Sequence, residues 1–64
     1  MFDFKKGNRI QYIDDKIKEF TYGTVIKDYI DGETYVFVDF DYWYLIDRVL
    51  PELIYKISEE EDLN

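Results

Sequence analysis

The chain contains neither cysteine nor histidine in its 64 residues. Without cysteine it has no disulfide framework, and without both residue types it lacks the usual ligands of a structural zinc site. The same absence removes the nucleophile–base pairs of most covalent catalysis, and the only serine, Ser58, lies near the C-terminus. The sequence therefore predicts a protein that is not an enzyme and that uses no metal and no cofactor.

Long hydrophobic runs are also missing. No apolar stretch approaches the ~20 residues of a transmembrane helix, and the first residues lack the hydrophobic segment of a signal peptide. A chain of this length forms one domain, which buries only ~60% of the surface that the unfolded chain exposes. We expect a small cytoplasmic domain without membrane contact, stabilised by large apolar side chains worth roughly 1.5–3 kcal/mol each when buried.

Aromatic side chains and negative charge are both abundant. The chain has seven Tyr, five Phe and one Trp, and its net charge is −7. Residues 28–64 contain eleven acids against two cations, Arg48 and Lys56, whereas residues 1–27 contain six cations against four acids. Negative charge disfavours direct binding to nucleic acid. Acids interleaved with aromatic rings instead suit cations, such as the basic surface of a partner protein.

The centre of the chain predicts a β-hairpin. Residues 23–30 are rich in β-branched and aromatic side chains and end at Asp31-Gly32, a dipeptide favoured in tight turns because glycine tolerates positive φ. Residues 33–40 form the return strand. Alternation along it places one set of side chains on one face, Val36, Val38 and Phe40, and a second set on the other, Tyr35, Phe37 and Asp39.

Three shorter strands complete the predicted set. Residues 9–13 follow the turn signal Gly7-Asn8, and residues 14–20 are a polar, exposed loop. After a tight connection at Asp41-Tyr42, residues 43–46 form a strand, residues 47–53 a helical turn around Pro51, and residues 54–57 a closing strand. Residues 58–64 form an acidic, disordered tail.

The segment from residue 46 to residue 57 also allows a helix. Its apolar residues fit a helical stripe as well as a strand: Ile46, Val49, Leu50, Leu53, Ile54 and Ile57. Acids at positions 59–62 would oppose the dipole at the end of such a helix. The sequence favours strands here but leaves both structures open.

Five short strands at regular spacing predict a small, closed, all-β barrel over residues 1–57. Gly7-Asn8-Arg9-Ile10, Gly23-Thr24-Val25-Ile26 and residues 36–41, Val-Phe-Val-Asp-Phe-Asp, resemble the strand motifs of SH3-like barrels of the Tudor type. The resemblance covers residues 5–57 and implies a five-stranded SH3-like barrel. Such motifs are shared by domains of many functions, so they indicate a fold and not an activity.

The resemblance also implies a binding site. In Tudor-type domains, aromatic rings enclose a methylated lysine or arginine, and the similar positions here are Tyr12, Tyr22, Phe40 and Tyr42, with Asp39 or Asp41 as the carboxylate. Phe40 shares its face with two valines and is expected in the core. Tyr12, Tyr22 and Tyr42 therefore remain as the aromatic-cage candidates.

The composition favours a broader function, namely a non-catalytic, acidic protein-interaction module that binds a basic partner surface. The predicted partner-binding residues are Asp28, Asp31, Glu33, Tyr35, Phe37, Asp39, Asp41, Tyr42, Tyr44 and Asp47. A sharper hypothesis is a nucleic-acid mimic, which would occupy the groove of a nucleic-acid-binding protein as small phage-type inhibitors do. The alternatives are the cage reader and an RNA- or ribosome-associated barrel that uses Lys5, Lys6, Arg9, Lys16 and Lys18. The sequence does not predict the oligomeric state.

Overall fold

The computed structural model describes residues 2–14, 19–42 and 45–57. They form five β-strands and one short 3-10 turn, and the described residues contain no α-helix. The elements are β1 (Arg9–Asp14), β2 (Glu19–Val25), β3 (Val36–Phe40), β4 (Leu45–Val49), the 3-10 turn (Pro51–Leu53) and β5 (Ile54–Lys56). The predicted all-β class is confirmed, and the helix considered for residues 46–57 is wrong. The predicted tail, residues 58–64, lies outside the described residues.

The five strands form one antiparallel sheet in the order β4-β3-β2-β1-β5. The register places Ile10 opposite Gly23, and Gly23 opposite Phe40. Directly opposed residues of an antiparallel pair share a face of the sheet. We call the face that carries these three residues the inner face and the opposite one the outer face.

The inner face holds the hydrophobic core. The core contains residues from every strand and one from the N-terminal segment: Phe4, Ile10, Val25, Val36, Val38, Phe40, Val49 and Ile54. Ile10, Val38 and Phe40 have no exposed surface. The predicted alternation of β3 is confirmed, because Val36 and Val38 are buried with Phe40 while Asp39 is exposed. Strand periodicity was therefore sufficient to predict which side chains of β3 enter the core.

The connection between β2 and β3 differs from the predicted tight hairpin. Val25 pairs with Val38, so residues 26–35 form a ten-residue connection and β2 does not reach Ile30. Phe4 in the N-terminal segment explains the difference. The amide of Tyr29 donates to the carbonyl of Phe4 at 2.8 Å, and the two rings meet edge to face at 6.5 Å. These contacts draw the chain away from the sheet after β2.

A turn does form at Asp31-Gly32, within this longer connection. Gly32 has φ of +102°, and the amide of Glu33 donates to the carbonyl of Ile30 at 2.9 Å. The side chain of Glu33 also accepts from the amide of Ile30 at 2.9 Å. The turn predicted at Asp31-Gly32 is thus confirmed. It lies within the ten-residue connection, however, and does not join β2 directly to β3.

β4 is displaced toward the C-terminus relative to the prediction. It begins at Leu45 and continues through Asp47 and Arg48, which pair with Val38 and Phe37 of β3. The helical turn expected over residues 47–53 is confined to residues 51–53. Pro51 opens it, as expected for a residue that has a suitable φ and no backbone N–H to satisfy.

Gly23 allows β3 to lie close to β2 on the inner face. A Cβ at this position would lie 2.5 Å from Cγ1 of Val38 and 2.8 Å from the carbonyl oxygen of Asp39. Real Cβ atoms do not approach other heavy atoms this closely, and one of the obstacles is backbone. Glycine at position 23 is therefore required for the spacing of these two strands.

We predict that Gly23→Ala lowers the free energy of unfolding by about 1–3 kcal/mol, because the added methyl group overpacks the inner face. Denaturant titration followed by circular dichroism measures the change. Thr34→Ala, at an exposed position of the β2–β3 connection, is the control and should leave the stability nearly unchanged. If Gly23→Ala proves as stable as the parent, the close approach of the strands is not a constraint.

Candidate functional site

Four of the predicted partner-binding acids are exposed and form no ion pair with a cation of the described residues. They are Asp28, Asp31, Asp39 and Asp47. Asp28 and Asp31 lie on the β2–β3 connection, where the carboxylate of Asp28 accepts from the amide of Lys6 at 2.8 Å. Asp39 projects from the outer face, whereas Asp47 lies in register with Val38 and projects from the inner face. Asp39 and Asp47 therefore lie on opposite faces of the sheet.

Glu33 and Asp41, the remaining predicted acids, are paired within the chain. Glu33 forms an ion pair with Lys27, with 3.6 Å between Nζ and Oε2. The guanidinium of Arg9 donates to both carboxylate oxygens of Asp41, at 2.9 and 2.5 Å, and to Oγ1 of Thr24 at 2.8 Å. Arg9 and Thr24 are cross-strand neighbours on the outer face. This bidentate pair therefore ties the end of β3 to the start of β1.

The aromatic side chains predicted beside the acids already contact cations. The ammonium of Lys27 lies 5.1 Å from the ring centre of Phe37, and the guanidinium of Arg48 lies 5.1 Å from that of Tyr35. Both distances are within the range of a cation–π interaction. The sequence correctly indicated rings that suit cations, but for these two rings the cations come from the same chain.

Tyr42 is the most exposed of the predicted rings, with 82% of its surface accessible. It follows Asp41 in the turn between β3 and β4. Tyr44, the last of the predicted partner-binding residues, lies outside the described residues, as does Trp43.

Two of the aromatic-cage candidates project from opposite faces of the sheet. Tyr12 pairs with Thr21 on the inner face and packs edge to face against Phe40, with 5.7 Å between ring centres. Tyr22 is opposite Gln11 on the outer face and is 45% exposed. The structure therefore does not bring these two rings into one hollow. Phe40 is buried in the core, as expected.

A group of mostly aromatic side chains on the outer face was not predicted as a unit. It spans β5, β1 and β2 and consists of the exposed rings of Phe20, Tyr22 and Tyr55 together with the half-buried Gln11 and Ile13 of β1, and we call it the ring face. Phe20, Tyr22 and Tyr55 are 60%, 45% and 57% exposed. The signal available in the sequence was the alternation of Phe20 and Tyr22 along β2, but Tyr55 joins them only through the pairing of β5 with β1.

The basic residues considered for RNA binding are divided. Arg9 is bonded to Asp41, Lys5 and Lys6 are exposed in the N-terminal segment, and Lys16 and Lys18 lie outside the described residues.

Across residues 2–14, 19–42 and 45–57, no three His, Cys, Asp or Glu side chains cluster as metal ligands. The same residues include no helix with the length and hydropathy needed to cross a membrane.

In comparisons with known proteins, the chain matches no protein-family model, no curated protein and no solved structure.

Hydrogen bonds from the guanidinium of Arg9 lower the pKa of the Asp41 carboxyl; burial opposes this effect in part, and the charge of Arg9 adds a smaller lowering. Because the folded state has the lower pKa, the pair contributes stability above the unfolded value of 3.8. That contribution is lost as the pH falls through the folded pKa.

We predict that Asp41→Asn lowers the free energy of unfolding at neutral pH by up to about 1 kcal/mol, since both partners are partly exposed. The difference between variant and parent should vanish at a pH below the folded pKa of Asp41. Urea titrations at both pH values measure it. Asp39→Asn, which removes an unpaired carboxylate, is the control and should not reproduce this pH dependence. An Asp41→Asn difference that persists in acid would contradict the assignment.

Proposed function

We propose that this chain is a non-catalytic, acidic protein-interaction module that binds a basic surface of a partner protein. The observation that carries the proposal is the set of exposed, unpaired carboxylates at Asp28, Asp31, Asp39 and Asp47. These carboxylates lie on the surface and not in the core, and no cation of the described residues forms an ion pair with them. An opposite charge on a partner would be attracted to these carboxylates, and that attraction would speed association.

The state of the cations supports the same proposal. Arg9, Lys27 and Lys56 form ion pairs with Asp41, Glu33 and Asp3, and Arg48 lies over the ring of Tyr35. Among the described side chains, most cations are therefore engaged within the chain, whereas several acids are not. Lys5 and Lys6 are exposed without an ion pair, but the exposed acids without one outnumber them, so the net charge left to interact with other molecules is negative.

The fold that we propose for the module is an SH3-like barrel. Ile10, Val38 and Phe40 are completely buried, although the described residues provide no helix or second sheet to cover the inner face. A single sheet can bury one face to this extent if it bends around that face. The close approach of β3 to β2 at Gly23 fits such a bend.

The nucleic-acid mimic is a narrower form of the function. It would need carboxylates arranged along one surface as phosphates are along a groove. Asp39 and Asp47 project from opposite faces of the sheet, and Asp41 is neutralised by Arg9. The described residues thus favour the broader proposal of a basic partner surface.

The proposal predicts salt-dependent binding of a cationic probe. A short oligolysine peptide, titrated calorimetrically at low salt, should bind the parent chain, and high salt should abolish the binding. Asp31→Asn and Asp39→Asn should each weaken it by up to about fivefold, as expected for exposed charge pairs.

Asp3→Asn is the matched control. It removes the same charge from an exposed carboxylate that Lys56 already neutralises at 3.6 Å, so its effect should be smaller. Equal losses for all three variants would show that only net charge matters and would contradict a defined binding surface. Binding that high salt leaves unchanged would contradict the electrostatic basis of the proposal.

A further inference from the structure

The ring face is unusual for the outer side of a small sheet. A sheet that buries one face in its core normally exposes polar side chains on the other. Here the outer face of β5, β1 and β2 exposes Phe20, Tyr22 and Tyr55 to between 45% and 60%. Exposed rings grouped on one face are typical of protein interfaces.

The strand register fixes the arrangement of these rings. Tyr22, Gln11 and Tyr55 form one row across β2, β1 and β5. Strands are spaced by about 4.8 Å, so the two tyrosines stand roughly 10 Å apart on either side of Gln11. Phe20 is opposite Ile13 in the next row.

The ring face is also electrically neutral. None of its five side chains is charged. The neighbouring row carries Arg9, which the carboxylate of Asp41 neutralises, and the unpaired Asp39 of β3, which lies opposite Thr24. A basic partner would therefore find no opposite charge on the ring face itself. In a chain of net charge −7, two copies repel each other least where they approach through an uncharged face.

We propose that the ring face is the interface of a two-fold symmetric homodimer. A two-fold axis brings the same patch of both copies together, so neutral rows of rings meet neutral rows of rings. Two such faces pack about 10 Å apart, with side chains interdigitating as in a β-sandwich. The unpaired acids on the β2–β3 connection are not part of this interface. The dimer would therefore present two acidic surfaces to a partner.

Sedimentation equilibrium over roughly 1 μM to 1 mM protein tests the dimer. The parent chain should show a monomer–dimer equilibrium that high salt strengthens, because salt screens the repulsion between the two negative copies. Phe20→Ser and Tyr55→Ser should each weaken dimerisation at least tenfold. Ile30→Ser is the matched control, because it removes a side chain that is 67% exposed on the β2–β3 connection, and it should dimerise like the parent.

Amide chemical shifts of the parent chain provide a second test that needs no substitution. Between dilute and concentrated samples, the largest changes should occur at Gln11, Tyr22 and Tyr55. A monomer at every concentration, open-ended polymers, or equal dimerisation of Phe20→Ser and Ile30→Ser would overturn the proposal. The dimer and the proposed function can be tested independently, because salt should weaken the binding of oligolysine and strengthen dimerisation.

Discussion

A single sheet has to bury the whole core, and the rest of the structure depends on this constraint. The described residues provide no second layer, and each strand contributes at least one buried side chain to one cluster. Gly23 permits the close spacing of β2 and β3 that this requires. Phe4 adds an aromatic side chain from outside the sheet and, through Tyr29, holds the β2–β3 connection against the core.

Charge is distributed according to the same geometry. Where strands or connections meet, acids are paired within the chain, as Asp41 is with Arg9 and Glu33 with Lys27. Asp31 and Asp39, which form no ion pair with a cation of the described residues, face solvent. An exposed ion pair contributes little to stability. Leaving these acids without a cation therefore lowers the stability of the fold only slightly. They therefore remain free to serve an interaction.

Two kinds of surface result, and they differ in physical character. The unpaired acids would attract a basic partner over a distance of roughly a Debye length. The ring face would act only at contact, through apolar area and ring packing. A dimer built through the ring face would double the acidic surfaces and strengthen binding to a partner with repeated basic sites, since the second contact would be intramolecular.

The sequence by itself determined the all-β class, the alternation along β3 and the turn at Asp31-Gly32, whereas for residues 54–57 it only favoured a strand over a helix. These follow from local periodicity and turn chemistry, which short segments contain in full. Only the tertiary structure decided the ten-residue β2–β3 connection, the bond between Arg9 and Asp41, and the joining of Tyr55 to Tyr22. Each depends on residues more than twenty positions apart, which meet only when the strands pair.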